Sequence, residues 1–313
     1  MSFHWDITGK KILVLGDQGL VGSALIRALS TEDCTSIGAS RVDADLSNAE
    51  HTADYIQATK PNAIFMAAAK VGGILANRDY PVDFLEKNLL IQLNVMRAAH
   101  DADVERVVFL GSSCIYPKFA DQPISEDSLM TGTLEPTNDA YAIAKIAGIR
   151  LIDAFRQQYG RRWVSAMPTN LYGPNDNFDL SSSHVLPALL RKFHEAKIAN
   201  LPSVEIWGTG QVRREFLHVD DCAKALIHVL KTYDAPGPIN VGYGSDVSIL
   251  ELAALIKEMT GYGGKITHDL TKPDGTPAKL MDNSRVLQLG WKPKNTLPEG
   301  LKQTYEWFLD NPA

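Results

Sequence analysis

The sequence predicts an α/β fold built on a doubly wound parallel sheet, and three observations predict it. Short apolar runs recur at Lys11–Leu15 (KILVL), Ala63–Ala67 (AIFMA), Arg106–Leu110 (RVVFL) and Val164–Met167. Helix-length segments lie between them, notably Asp83–His100 and Asp139–Tyr159. Strands alternating with helices make parallel βαβ units. The runs are also continuously apolar, as strands covered by helices on both faces are.

Taken in order, Lys11–Leu15 passes directly into glycines and then into the apolar-periodic segment Leu20–Leu29, which reads as strand, tight turn and helix. The rhythm changes after about residue 172. Tyr172–Leu180 (YGPNDNFDL) is rich in turn formers, and Ser181–Ser183 precedes a helix expected from His184 to about Ala199. A strand-like piece at Val204–Trp207 follows, then a helix over His218–Tyr233 and another sheet strand at Pro238–Val241. Ser248–Thr260 is a helix behind a capping serine, and Pro298–Leu309 closes the chain with another. No internal repeat or low-complexity linker interrupts this order. Residues 1–172 with about 215–245 are expected to form the larger domain. Residues about 173–214 with 246–313 are expected to form a smaller C-terminal α/β lobe that binds the substrate.

Bulk properties exclude several function classes. The 313 residues are 45% hydrophobic and 22% charged, an ordinary globular composition able to bury a core without covalent staples. A net charge of −6 offers no broad field for nucleic acid or an anionic membrane. Three cysteines, Cys34, Cys114 and Cys222, are too few and too scattered for a disulfide framework or a zinc site. No metal is expected. Cys34 and Cys222 fall in apolar contexts and read as core residues. Met1–Lys10 lacks the apolar core of an export signal, and no run approaches the length of a membrane helix, so a cytoplasmic protein is expected.

The turn after the first strand reads Gly16-Asp17-Gln18-Gly19-Leu20-Val21-Gly22. Its GxxGxxG spacing is that of Rossmann-type short-chain dehydrogenases. Gly16 permits the sharp turn, Gly19 lets backbone approach a pyrophosphate at the positive end of the helix, and Gly22 allows close helix–strand packing. The end of the second strand should decide between cofactors, since an acid there meets the ribose hydroxyl of NAD and an arginine the phosphate of NADP. Arg41 could grip that phosphate, Asp43 keeps NAD open, and a solvated Arg41 is the plain alternative. Asp45-Leu46 resembles the pair that lies near adenine in this class.

Tyr141-Ala142-Ile143-Ala144-Lys145 is a YxxxK motif, and residues four apart share a helix face. The lysine ammonium favours tyrosinate character and can hold ribose hydroxyls, which suits the tyrosine to protonate a carbonyl receiving hydride. The strand Arg106–Leu110 ends in Gly111-Ser112-Ser113-Cys114, presenting hydroxyls at the carboxyl edge of the sheet, where open α/β sheets bind ligands. Glycine turn, serine strand end and YxxxK, in this order, form a specific combination.

Seven segments carry a closer resemblance: AAAKVGGI (Ala67–Ile74), LGSSCIYP (Leu110–Pro117), LEPTNDAYAIAKIAGI (Leu134–Ile149), MPTNLYGPNDNF (Met167–Phe178), SHVLPALL (Ser183–Leu190), REFLHVDD (Arg214–Asp221) and KPDGTPAKL (Lys272–Leu280). Over nearly the whole chain the sequence resembles the GDP-L-fucose synthases, homodimeric NADPH enzymes that epimerise C3 and C5 and reduce C4 of GDP-4-keto-6-deoxy-D-mannose. The resemblance implies Cys114 as base and His184 as acid of the epimerisation, with Tyr141 as proton donor for reduction, supported by Lys145 and Ser112. It implies a cofactor NADP(H) held by the glycine turn, by Ala68, by Leu110, Gly111 and Ser113, and by His184. Pro168, Thr169, Asn170 and Leu171 should line the nicotinamide. For the nucleotide half of the substrate it points to Lys192, Trp207, Arg214 and Asp274. The competing readings are a core tryptophan, a solvated arginine and a turn-forming aspartate.

The family often carries arginine where Gln18 stands here, which leaves Arg41 as the main candidate for the phosphate. The helices Asp83–His100 and Asp139–Tyr159 of two subunits are expected to pair in the dimer. A 4,6-dehydratase would want an acidic pair after the strand-end hydroxyl, where this chain has Ser113-Cys114. A dinucleotide-binding sensor would lack the tyrosine or the lysine, and both are present.

Overall fold

The computed structural model describes residues 3–272 and 274–311. The first half alternates as expected: β1 (Lys11–Leu15), α1 (Leu20–Leu29), β2 (Thr35–Ala39), α2 (Ala49–Thr59), β3 (Ala63–Met66), α3 (Ile74–Asp79), α4 (Pro81–Asp101), β4 (Arg106–Leu110), α5 (Asp139–Tyr159) and β5 (Val164–Pro168). The second half runs β6 (Asn170–Tyr172), α6 (Val185–Ile198), β7 (Ser203–Trp207), β8 (Arg213–His218), α7 (Val219–Thr232), β9 (Pro238–Val241), β10 (Asp246–Ser248), α8 (Ile249–Thr260), β11 (Lys265–Asp269), β12 (Ala278–Lys279), α9 (Ser284–Gln288) and α10 (Leu297–Asp310).

Six strands form one parallel sheet in the order β2-β1-β3-β4-β5-β9. Side chains of a strand alternate between faces, and both faces here are dry. Ile12, Val14, Phe65 and Val108 pack on one side with Leu25 of α1 and Leu226 of α7. Leu13, Leu15, Ile64 and Phe109 pack on the other with Val95 of α4 and Ile152 of α5. This double burial is why the sequence shows continuous apolar runs. The order reverses at β1, so the carboxyl ends of β1 and β3 diverge into the crevice where such sheets bind ligands.

The remaining elements build a second layer with its own core, in which Leu190 and Phe193 of α6, Ile206 of β7, Leu252 and Ile256 of α8 and Phe308 of α10 converge. A small sheet places β10 on one side of β8, and β6 and β12 on the other. β7 pairs with β11 separately. The expected serine cap of α8 is a full capping box, Ser248 and Glu251 each bonding the other's backbone N–H. Several expectations change, most of them by a residue or two at an element's end. The helix expected from His218 begins one residue later, because His218 ends β8 and caps α7. The helix expected from His184 begins at Val185, with His184 as its cap. Cys222 is fully buried, but Cys34 lies half-buried at the edge of the core. Among the described residues no helix is long and apolar enough to cross a membrane.

Glu215 in β8 joins the two layers. It is fully buried, and its carboxylate accepts the N–H of Gly244 (2.7 Å), the N–H of Met281 (3.1 Å) and the amide of Asn283 (3.2 Å). Its carbonyl accepts the side chain of Asn170 at 2.9 Å, next to β5. Burial raises its pKa, while these bonds oppose the shift. Glu215→Ala would strand several buried donors and should lower unfolding free energy by about 3 kcal/mol in urea titration, with Glu215→Gln losing clearly less.

Candidate active site

The glycine turn lies at the point where the strand order reverses. Gly16 has φ +85°, and a Cβ there would stand 2.8 Å from the backbone of Ala68, just past β3. A Cβ on Gly22 would lie 2.0 Å from Gly16 O, so α1 can start this close to β1 only with glycine. Gly19 caps α1 without a side-chain bond, and a Cβ there would meet Gly16 O at 3.4 Å. The first N–H groups of α1 therefore lack side-chain partners beside an open turn, which fits a pyrophosphate. Gln18 is exposed on this turn.

At the end of β2, Arg41 is exposed and lines an open cavity of about 610 Å³ with Asp45, His51 and Tyr55. Among the described residues it makes no ion pair. Asp43, the acid that kept NAD open, bonds Ser40 N at 2.8 Å and Ser40 Oγ at 2.7 Å. Those bonds hold its carboxyl below the ordinary range. Asp45 is engaged in the same way by Ser47.

β4 and α5 bring the reducing group together. Lys145 Nζ donates to Leu110 O, the last carbonyl of β4, at 2.8 Å and stands 5.7 Å from the Tyr141 ring centroid. Burial lowers the lysine pKa to about 8. Burial first, then the Cys114 sulfur, pushes the Tyr141 phenol well above its ordinary value, while the neighbouring Ser112 hydroxyl opposes the shift. The phenol is thus held protonated at neutral pH. Ser112 also accepts the N–H of Cys114 at 3.3 Å, opening a short turn that aims the cysteine at the same edge. Gly111 N bonds Ala166 O at 2.9 Å, and a Cβ on Gly111 would collide with Met167.

Cys114 has two neighbours that the sequence reading passed over. Asn138 Nδ2 stands 3.3 Å from its sulfur and Lys279 Nζ 3.9 Å. Asn138 is the cap residue of α5, three positions before Tyr141, and its Oδ1 is buried without a partner. Lys279 belongs to the quoted KPDGTPAKL segment, of which Pro273 lies outside the described residues. His184 is exposed at the start of α6 and its ring makes no hydrogen bond among the described residues. Close packing on its protein side disfavours the imidazolium and lowers its pKa. Its loop is pinned by Gly73 N, which donates to Ser182 O at 3.0 Å.

The second lobe carries the four residues that the resemblance points to for the nucleotide. Trp207 is 44% exposed, which rules out a core tryptophan. The ammonium groups of Lys192 and Lys272 lie 5.7 and 5.6 Å from its ring, an aromatic surface rimmed by cations. Lys192 also reaches Glu205 O at 3.4 Å. Arg214 is not a solvated arginine: its Nη1 donates to Thr276 O (2.6 Å) and Arg213 O (2.7 Å), and burial lowers its pKa. Asp274 ties its loop to the turn after β7, accepting Thr209 N at 2.7 Å.

The tight contact at the start of α1 makes Gly22→Ala a direct probe of the turn. The variant should lose about 1–3 kcal/mol of stability and most of its affinity for an adenine dinucleotide, both read by thermal shift with and without nucleotide.

Residues 12–242 match the NAD dependent epimerase/dehydratase family. The chain is 52% identical over 307 residues to a GDP-L-fucose synthase of Sinorhizobium fredii, covering 98% of each. A GDP-6-OMe-4-keto-L-xylo-heptose reductase of C. jejuni superposes with a TM-score of 0.92 at 34% identity, covering 98% of this chain and 99% of that one. A GDP-L-fucose synthetase of Naegleria fowleri bound to NADP superposes with a TM-score of 0.91 at 27% identity, covering 99% and 98%. Glycine turn, strand-end serine and cysteine, YxxxK pair and whole-length likeness agree: the chain belongs to the GDP-L-fucose synthases of the NAD dependent epimerase/dehydratase family.

Proposed function

We propose that this chain converts GDP-4-keto-6-deoxy-D-mannose to GDP-L-fucose, inverting C3 and C5 and reducing C4 with NADPH. The observation that carries this reading is a second proton-handling group, Cys114 with Asn138 and Lys279, at the strand end where Tyr141 meets Lys145. A simple ketone reductase has no use for it. The glycine turn and Arg41 would hold the cofactor, which when bound supplies hydride.

The C4 ketone acidifies the hydrogens on C3 and C5. Cys114 removes such a proton from one face, and His184 returns one from the other. Its lowered pKa makes the imidazolium a stronger acid, though a less populated one. Negative charge that develops on the C4 oxygen meets the Tyr141 and Ser112 hydroxyls, a polarising arrangement fixed before substrate arrives. During reduction the carbon gains hydride and the oxygen gains the Tyr141 proton. Lys145 is mostly charged at neutral pH and favours the phenolate left behind. Trp207 and Lys192 offer a face and charge to the guanosine diphosphate. Arg214 and Asp274 hold the loop beside them.

In this reading residues 1–172 and about 215–245 would hold the dinucleotide, and the remaining lobe the sugar nucleotide. Exposed Val82, Leu90 and Leu93 on α4 and Ile143 on α5 support a homodimer paired through these helices. Three unpaired thiols suit a reducing, cytoplasmic setting.

The decisive experiment supplies the keto sugar and NADPH in D₂O and identifies the product by NMR. Cofactor oxidation with deuterium at C3 and C5 is expected; reduction without exchange would leave a C4 reductase. Cys114→Ala should slow the exchange by about 10²–10⁴-fold while Tyr141→Phe should abolish reduction and leave exchange measurable. kcat/KM for reduction should fall as pH rises through about 8, where Lys145 loses its proton, and Lys145→Met should remove that limb from the pH profile.

A further inference from the structure

Asparagine is favoured just before a helix because its side-chain oxygen can accept an N–H of the first turn. Asn48 does this ahead of α2, where its Oδ1 accepts His51 N at 3.0 Å. Asn138 holds the same position ahead of α5 and does not. That helix starts without a side-chain cap, and Asn138 Oδ1 has no hydrogen-bond partner among the described residues. Its Nδ2 donates instead to Cys114 Sγ at 3.3 Å. A helix start that forgoes its cap loses stability, and natural sequences break such local rules mainly where a side chain has another task.

Lys279 reaches the same sulfur from β12. Its ammonium stands 3.9 Å from Cys114 Sγ, its one hydrogen-bond partner among the described residues. Arg214, its neighbour in register on β8, is already engaged by the carbonyls of Thr276 and Arg213. The backbone beside Lys279 is fixed as well. Leu280 N donates to Gln122 Oε1 and Ile124 N to Leu280 O, each at 2.7 Å, in the connection between β4 and α5 that also carries Cys114. The sulfur therefore meets two donors and, among the described residues, no acceptor for a proton of its own. A base must be rid of its own proton before it takes one from carbon, and an anionic sulfur is met here by an amide dipole and a full positive charge. We propose that Asn138 is a positioning residue for Cys114: with Lys279 it orients the sulfur and holds it in the anionic form that accepts the sugar proton. Asn138 precedes Tyr141 by three residues, so one helix start places the base of one step and the acid of the other.

The inference rests on the epimerisation reading, and thiol chemistry separates the two. Cys114 is only part-buried, so a small reagent reaches it. Its alkylation by iodoacetamide at neutral pH would be followed on the full chain by peptide mass spectrometry. Deuterium uptake at C3 and C5 of the keto sugar would be measured beside it, with melting curves as the check of folding. Asn138→Asp keeps the shape and suits a helix start equally well, but puts an anion where the sulfur has a donor. Alkylation and deuterium uptake should both fall ~10-fold or more in Asn138→Asp and in Lys279→Met, while Lys279→Arg keeps most of each. Asn138→Ser can cap α5 but is too short to reach the sulfur, and should show the same loss without a lower melting temperature. Rates within ~2-fold of wild type in the folded Asn138 variants overturn the inference and leave the epimerisation reading standing. Alkylation needs no sugar: if the variants slow it and the wild type takes up no deuterium, the assignment of Asn138 and Lys279 stands and the epimerisation reading falls.

Discussion

The arrangement depends on how closely α5 approaches the end of β4. A Cβ on Gly148 would stand 2.4 Å from Phe109 and 2.6 Å from the Gln92 amide oxygen, so glycine sets the depth at which the helix lies. Gln92 of α4 then donates to Ala144 O at 2.7 Å, and Lys145 one position on reaches the Leu110 carbonyl. These contacts are dry, and the lysine charge is tolerated there only because its ammonium has a carbonyl to meet. Tyr141, one turn earlier, is thereby delivered to the Ser112 hydroxyl. Moving α5 outward by one methyl group would separate acid, lysine and serine together.

The second layer is joined to this edge by buried polar contacts. Its own core of α6, α8 and α10 side chains sits apart from the two cores of the large sheet. The connection runs through β8, where buried Glu215 collects donors from 244, 281 and 283. A buried carboxylate with several well-placed N–H partners fixes orientation strongly, since every donor lost becomes a dry, unpaired group.

Much of the fold was legible because burial on two faces writes itself into composition. β1, β4 and β9 have the bounds read from their apolar runs, and α5 those read from its periodicity. β8 was not seen, because RREFLH is charged where it faces other strands and its one buried acid looks like a surface residue. β2 (TSIGA) is a polar edge strand without an apolar run. In the site, Tyr141, Lys145 and Ser112 could be placed because spacing along one helix and one strand end fixes them. Asn138 and Lys279 could not, since they reach Cys114 from positions 24 and 165 residues away. The engagement of Asp43 by Ser40 was equally hidden, because a turn contact leaves no periodic trace.

The segment that follows β11 has a consequence of its own. Asp274 is fastened to Thr209 beside the exposed Trp207, Thr276 offers its carbonyl to Arg214, Ala278 and Lys279 run as a strand along β8, and the ammonium of Lys279 ends at Cys114. Six residues thus run from the turn beside the indole to the thiol. The two ends of the site, the indole and the sulfur, are therefore bounded by one short stretch of chain, which ties the placement of one to the placement of the other.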